Sequence, residues 1–529
     1  MINQRRARFG SLIWLMVCAC NAIGWREANA QSSTDRAQQR PATRPVGLVL
    51  NEDNSRFCLN RDGNKMTRAG LYEFIDQYAG TQVTHLFLCP NGMRTNYRTK
   101  APGWESIWDG NQAEASEDRW LHNFWLLDQR GLDPYAVWVA RCREKGISPW
   151  ITMRMNVYSF RSQVDHFSHS SFWKQHPEMW RLRPAKSELD YGLPAVRARS
   201  LALIGELLER YDLDGLELDW MRWPTHFRPG EEQRGRQALT EFMRHVRKLA
   251  EKWSARRGRA IQISVRVPAV PDTAMALGMD AVAWAKAGLV DVVVPAPFLD
   301  ADFDIPIELW RERIGTSRKV ALAPCLESDC RGHSALGPHA TRWVHNRVEM
   351  VRGFAAAMLH RGADWVYLFN FLEGGWPNEE YRSILNDCGR LDTVIDKPRR
   401  HIVTSHDTAP PGASSPAVLP KNMVPRGRVT FRVYTGPRPT TGSAVIRAVL
   451  AKNENLAQAQ IVARLNSVAC RPLADLGKLD PFAESVRVTQ FAVPLESLRD
   501  GSNQVDLSLQ TGAMQQLLWL EIFFVPTPP

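Results

Sequence analysis

Glu217 and Asp219 stand two residues apart in the run Leu213-Asp214-Gly215-Leu216-Glu217-Leu218-Asp219-Trp220-Met221-Arg222-Trp223-Pro224. The run alternates with the period of a β-strand, which places both acids on one face. Carboxylates on an inward strand face are costly unless they are paired or used. Two carboxyls whose environments differ can divide acid and base work between them, as cleavage of a glycosidic bond requires. The aromatics, arginine and proline that end the run suit a strand opening into a binding cleft.

Strands elsewhere offer further polar groups at their C-terminal ends. They are Arg154 and Asn156 after the third strand, Arg222 after the fourth, Ser264 and Arg266 on the fifth, Glu327 just past the seventh, and Asn370 and Glu373 after the eighth. The first strand runs into Glu52, Asp53 and Asn54. Asp219 and Glu327 come from non-adjacent strands and are the expected catalytic pair. Arg154, Asn156, Arg222, Arg266 and Asn370 are expected to position substrate. Glu217 lies two residues deeper than Asp219, and the expectation is that it pairs with Arg154 or Arg266. Trp223 and Trp376 follow the fourth and eighth strands, where an indole face can stack on a sugar. Glu217 and Glu373 complete the expected substrate-binding set. The long connection from Pro90 to Asp133 holds Trp104, Trp108, Trp120 and Trp125 and reads as a binding loop.

These residues need a scaffold that gathers strand ends. Segments at 46–51, 83–89, 147–154, 213–219, 261–267, 290–295, 320–325 and 365–370 read as strands. Helical patterns at 134–145, 194–211, 232–256, 280–287, 341–361 and 378–387 lie between them. Pro134 and Pro194 suit a first helical turn, and Gly146 and Gly362 suit helix exits. Eight strands alternating with helices predict an α/β fold, a (β/α)8 TIM barrel over 46–390, whose sites lie at the C-terminal strand ends. An open doubly wound sheet is the alternative. Residues 391–425, with Pro410-Pro411-Gly412-Ala413-Ser414-Ser415-Pro416, read as a linker. Beyond it only strands are expected, a small β-sandwich over 426–529.

The chain has 529 residues, 44% of them hydrophobic, and a formal charge of +11. The cations are scattered among acids without a Lys/Arg tract, so no nucleic-acid partner is expected. Residues 1–30 read as a signal peptide: Arg5, Arg6 and Arg8, a short apolar run, then Ala28-Asn29-Ala30. Cys20 offers a weaker lipid-anchor alternative. Residues 31–45 read as a flexible lead-in. The expected location is exported: periplasmic, cell-surface or extracellular, with no transmembrane segment in the mature chain.

The seven cysteines beyond residue 30 are dispersed. Cys325 and Cys330 either pair with each other or remain free thiols. Cys325, Asp329, Cys330, His333 and His339 crowd one stretch without a zinc spacing, so no metal and no cofactor are expected. G-x-S-x-G is absent, which removes a serine-esterase reading.

At Asp214, Gly215, Asp219, Arg222 and Pro224 the chain resembles the family 10-like glycosyl hydrolases, exported bacterial barrel proteins. Ser264-Val265-Arg266-Val267-Pro268 and Tyr367-Leu368-Phe369-Asn370-Phe371 are similar too. The resemblance covers about 46–390 and implies a barrel acting on a poly- or oligosaccharide. The same run is similar to the D-G-x-D-x-D-x-E strand of chitinase-type hydrolases. There Glu217 stands at the first inward Asp, and Met221 replaces the catalytic Glu. A methionine donates no proton, so that mechanism is closed at this position. Many barrel glycosidases place an acid/base after strand four and a nucleophile after strand seven, and Asp219 and Glu327 occupy comparable places. The expected function is glycosidic hydrolysis. A non-catalytic carbohydrate-binding barrel and a polysaccharide lyase are the alternatives.

Overall fold

A computed structural model describes residues 47–527 except 54, 161, 317–319, 331–343, 415–416, 454–455, 481 and 483–485. The expected signal peptide with Cys20, the whole lead-in, Asn54, His333 and His339 therefore lie outside the described residues.

Nine parallel strands make the main sheet. They are β1 (Leu48–Glu52), β2 (Val83–Leu88), β3 (Ser148–Arg154), β4 (Gly215–Asp219), β5 (Gln262–Pro268), β6 (Val292–Ala296), β7 (Ala321–Leu322) and β8 (Cys325–Glu327), then β11 (Val366–Phe369) after a short antiparallel pair, β9 (Asp329–Cys330) and β10 (Val344–His345). The order is β7-β6-β5-β4-β3-β2-β1-β11-β8. The outermost two, β7 and β8, are consecutive in the chain and are parted by Ala323-Pro324. Ala323 N donates to Val293 O at 3.0 Å, and Tyr367 N donates to Pro324 O at 3.1 Å. The segment is thus held by β6 on one side and β11 on the other, and the sheet curls into an α/β barrel. The interruption follows from Pro324, which has no N–H to give a ladder.

Alternation sorts each strand. Leu216 and Leu218 of β4 join the large apolar cluster between sheet and helices, whereas Glu217 and Asp219 take the inner face. Deep inside, Val49, Phe87, Trp150, Val292, Val294, Ala321, Cys325 and Tyr367 fill the barrel. Trp150 stacks on Phe87 with centroids 4.7 Å apart. Gly215 makes room for this: a Cβ there would meet the Trp150 ring at 2.3 Å. Asp214, just before it, is held by Ser148 Oγ (2.8 Å), Arg143 (2.7 Å) and Arg259 (2.9 Å). Two of the motif residues therefore serve to build the strand.

Helices connect the strands largely where the sequence places them: Pro134–Glu144, Pro194–Arg210, Glu232–Arg257, Ala281–Lys286, Val348–His360 and Asn378–Asp387. Asp133 caps the first, accepting from Tyr135 N at 3.0 Å and Ala136 N at 3.2 Å. The Pro90–Asp133 connection carries its own helix, Arg119–Gln129. In that connection Trp108 is buried, and Trp104 lies against the Arg199 guanidinium, 3.6 Å from its ring centroid. None of the described helices is long and apolar enough to cross a membrane.

The C-terminal strands are β12 (Arg399–Ile402), β13 (Lys421–Met423), β14 (Arg428–Tyr434), β15 (Ser443–Ala451), β16 (Gln460–Leu465), β17 (Val468–Ala469), β18 (Arg471–Leu476), β19 (Val486–Val493), β20 (Ser502–Thr511) and β21 (Gln515–Val525). They form two antiparallel sheets. One runs β12-β21-β15-β19-β18 with β13 also on β21, and the other runs β14-β20-β16-β17. Phe431, Val433, Leu507 and Leu509 share a core with Ile446, Leu450 and Phe491 of the other sheet.

The stretch expected as a linker is structured in part. It supplies β12 and β13. It also runs against the loop after β6: Asp407 accepts from Phe298 N at 2.5 Å, and Thr404 Oγ1 accepts from Phe303 N at 2.7 Å. Helix Val348–His360 presses on β12 so closely that a Cβ at Gly353 would lie 1.8 Å from Arg400 O.

Candidate active site

Register brings the polar groups together. Asp219 is flanked across the ladder by Arg154 on β3 and Arg266 on β5, and Glu217 by Thr152 and Ser264. Glu327 ends β8 opposite Phe369. The seventh-strand acid thus belongs to the strand itself rather than lying just past it.

The outer layer centres on Arg266. Its Nη1 lies 3.2 Å from Asp219 Oδ1, and its Nη2 lies 2.9 Å from Glu327 Oε1. The guanidinium carbon sits 3.7 Å from the centroid of Phe369. Arg266 and Asp219 are each 1% exposed, and Glu327 is 4% exposed. Asp219 Oδ1 also accepts from Met221 N at 2.9 Å, and Glu327 Oε2 accepts from Asn370 Nδ2 at 3.3 Å. Burial pushes the Glu327 carboxyl up to about 7, against the pull of Arg266 and Arg222. Asn370 holds φ at +60°, the left-handed region, where asparagine is among the more tolerant side chains.

Glu217 contradicts the expected pairing with an arginine. Its Oε1 accepts from Thr152 Oγ1 (2.8 Å) and Tyr367 OH (2.7 Å), and its Oε2 from Ser264 Oγ (3.1 Å). Asn51 Nδ2 in turn donates to Tyr367 OH at 2.7 Å. Burial, then the neighbouring Asp219, raises the Glu217 carboxyl to about 7. Arg154 pairs instead with Asp53 at 2.6 Å. The arginines are taken because Arg154 and Arg266 sit level with Asp219, one layer above Glu217.

The remaining expected residues divide. Arg222 is half-buried in the outer layer, 5.5 Å from the Phe369 ring. Trp223, also half-buried, meets Phe298 edge-on with centroids 5.2 Å apart. Asn156 is buried, and its amide is engaged by backbone: Nδ2 donates to Leu189 O (2.9 Å) and Oδ1 accepts from Leu189 N (3.1 Å). Glu373 pairs with Arg61 at 2.8 Å and accepts from Gln77 at 3.2 Å, apart from the Arg266 layer. Trp376 is buried, stacked on Phe371 at 4.8 Å, and donates to Asn346 O at 2.9 Å.

Thr152 and Asn51 also belong to the site and were not singled out from the sequence, and Tyr367 and Phe369 entered there only through the resemblance, without a site role. Tyr367 and Phe369 sit at period-2 spacing on the eighth-strand segment, and Thr152 two residues before Arg154. That alternation is the signal that places them inward. The described cysteines are all buried, Cys325 and Cys330 among them. No cluster of potential metal ligands occurs among the described residues.

No family model matches the chain, and no curated protein sequence does. Solved structures that are similar include a cycloisomaltooligosaccharide glucanotransferase of a Paenibacillus species at 9% identity and TM-score 0.33. There the match covers 91% of this chain and 57% of the other, so the chain spans little over half that protein. A family 18 N-acetylglucosaminidase from Paenibacillus barengoltzii matches at 10% identity and TM-score 0.36, over 65% of this chain and all (100%) of the other. A chitinase from Chromobacterium violaceum matches at 10% identity and TM-score 0.36, over 64% and 98%. No residue role in this chain derives from these likenesses.

Proposed function

We propose that this protein is an exported glycoside hydrolase, a (β/α)8 barrel with an appended β-sandwich, that cleaves a poly- or oligosaccharide. The observation that carries the reading is the pair of carboxyls, Asp219 and Glu327, at the C-terminal ends of β4 and β8 and bound to one guanidinium. Their surroundings differ, which is what acid/base division needs. Glu327, raised to about 7 by burial, serves as the acid that protonates the leaving oxygen. Asp219, which accepts from two N–H donors, serves as the carboxylate that assists the attacking group or attacks itself. Arg266 orients both. Arg154, Arg222, Asn370 and Trp223 hold the sugar. The likeness to family 10-like hydrolases in the β4 run agrees with this assignment.

One observation favours a second reading, a barrel that binds saccharide without cleaving it. Both carboxyls are almost wholly buried, and Met221 fills the position where chitinase-type strands carry their acid.

The test is product chemistry. The purified protein is incubated with neutral, amino and acidic glycans, and products are read by mass spectrometry. New reducing ends with addition of water support hydrolysis. Unsaturated ends mean a lyase, and binding without products means the second reading.

A further inference from the structure

We infer that the saccharide carries a carboxylate, which docks on Arg222 beside the Asp219–Glu327 pair. This inference rests on the proposed carbohydrate site and names the chemistry of its ligand.

The outer layer holds three arginines and three acids, but their pairing is uneven. Arg154 is matched with Asp53 at 2.6 Å. Arg266 takes both Asp219 and Glu327. Arg222 is left over: among the described residues it has no ion-pair or hydrogen-bond partner, and its Nε is buried without an acceptor. Its guanidinium lies 5.5 Å from the centroid of the Phe369 ring, which Arg266 also faces. A half-buried guanidinium without an acceptor is costly, and an incoming group that supplies one recovers that cost. Burial, then the like charge of Arg154, push Arg222 below the ordinary arginine value, against the pull of Asp53, Asp219 and Glu327.

A carboxylate matches the planar guanidinium fork of Arg222 with two parallel N–H···O bonds.

The test uses the full chain with oligosaccharides of hyaluronan, polygalacturonate and alginate, each beside its carboxyl-reduced counterpart. Affinity is measured by calorimetry, and reducing ends are followed separately. At least one acidic glycan should bind roughly tenfold tighter than its reduced counterpart, a preference that weakens as salt is raised and collapses in Arg222→Gln. Arg222→Lys, which keeps the charge and loses the fork, should retain part of it. No preference in the unmodified protein, or a preference that survives Arg222→Gln, overturns the inference. The first of these needs no variant to fold. Carboxylate preference without any reducing ends would remove the hydrolase reading and leave this one standing. Hydrolysis without carboxylate preference would do the reverse.

Discussion

Asp219 and Glu327 are bound to opposite nitrogens of one side chain: Arg266 Nη1 lies 3.2 Å from Asp219 Oδ1, and Nη2 lies 2.9 Å from Glu327 Oε1. The two acids come from strands far apart in sequence, and a single buried cation fixes their relation. Arg266→Met should therefore leave the buried Asp219–Glu327 pair without its cation. The expected loss is about 3–5 kcal/mol at neutral pH, read by urea denaturation. It should shrink in acid as Glu327 takes a proton. A loss below about 1 kcal/mol would mean that the pair does not depend on the guanidinium.

Glu327 as the proton donor sets the alkaline side of the pH profile. Its carboxyl is raised to about 7 by burial, so the acid form is present below that value and is lost above it. The kcat of hydrolysis should fall as pH rises through about 7. An activity that is flat from pH 6 to pH 9 would remove Glu327 from that role.

Asn370 joins a backbone constraint to this acid. It donates to Glu327 Oε2 at 3.3 Å and holds φ at +60°. Asn370→Gly and Asn370→Ala both delete the donor, and both should move the alkaline limb upward, since the ionised form loses a hydrogen bond. Only the alanine is strained at that φ. It should be the less stable of the two by roughly 1 kcal/mol in denaturant titrations. Equal stability would show that the turn relaxes.

Glu217 provides a test through stability alone. A carboxyl raised on folding keeps its proton while the unfolded chain releases it. Between the ordinary 4.5 and about 7 the folded state thus binds more protons, and stability falls as pH rises. Glu217→Gln cannot titrate. Its carbonyl still accepts from Thr152 and Tyr367, and its amide can donate to Ser264 Oγ. Across that window the variant should lose less stability than the unmodified protein, by on the order of 3 kcal/mol at most. Parallel curves would mean that Glu217 is ionised throughout in the fold.

The barrel was legible in the sequence because strand and helix periods alternate cleanly and prolines and glycines mark the helix ends. Asp219, Arg222 and Arg266 were legible from inward alternation and the β4 motif. Pairing was not. Whether Glu217 meets an arginine or a hydroxyl depends on how neighbouring strands are staggered, and a one-layer difference decides it. Asn156 and Trp376 carry the residue types of a binding site, yet backbone and neighbouring rings take them up. Tyr367 and Thr152 carry no site signal of their own in the sequence, because a tyrosine or threonine in a strand ordinarily signals only β propensity. The linker stretch reads as Pro/Gly/Ser-rich over only a few residues, and the β-forming Arg399–Ile402 beside them pairs with the last strand of the chain.

Release of reducing ends by Asp219→Asn tests the central claim most directly. The variant keeps the shape of the side chain and an oxygen for Met221 N, so its fold can be checked by the same melting curve as the unmodified protein. On a glycan that the unmodified protein cleaves, kcat should drop by roughly 100- to 10,000-fold while saccharide binding persists. Full activity in a folded Asp219→Asn protein would contradict the account.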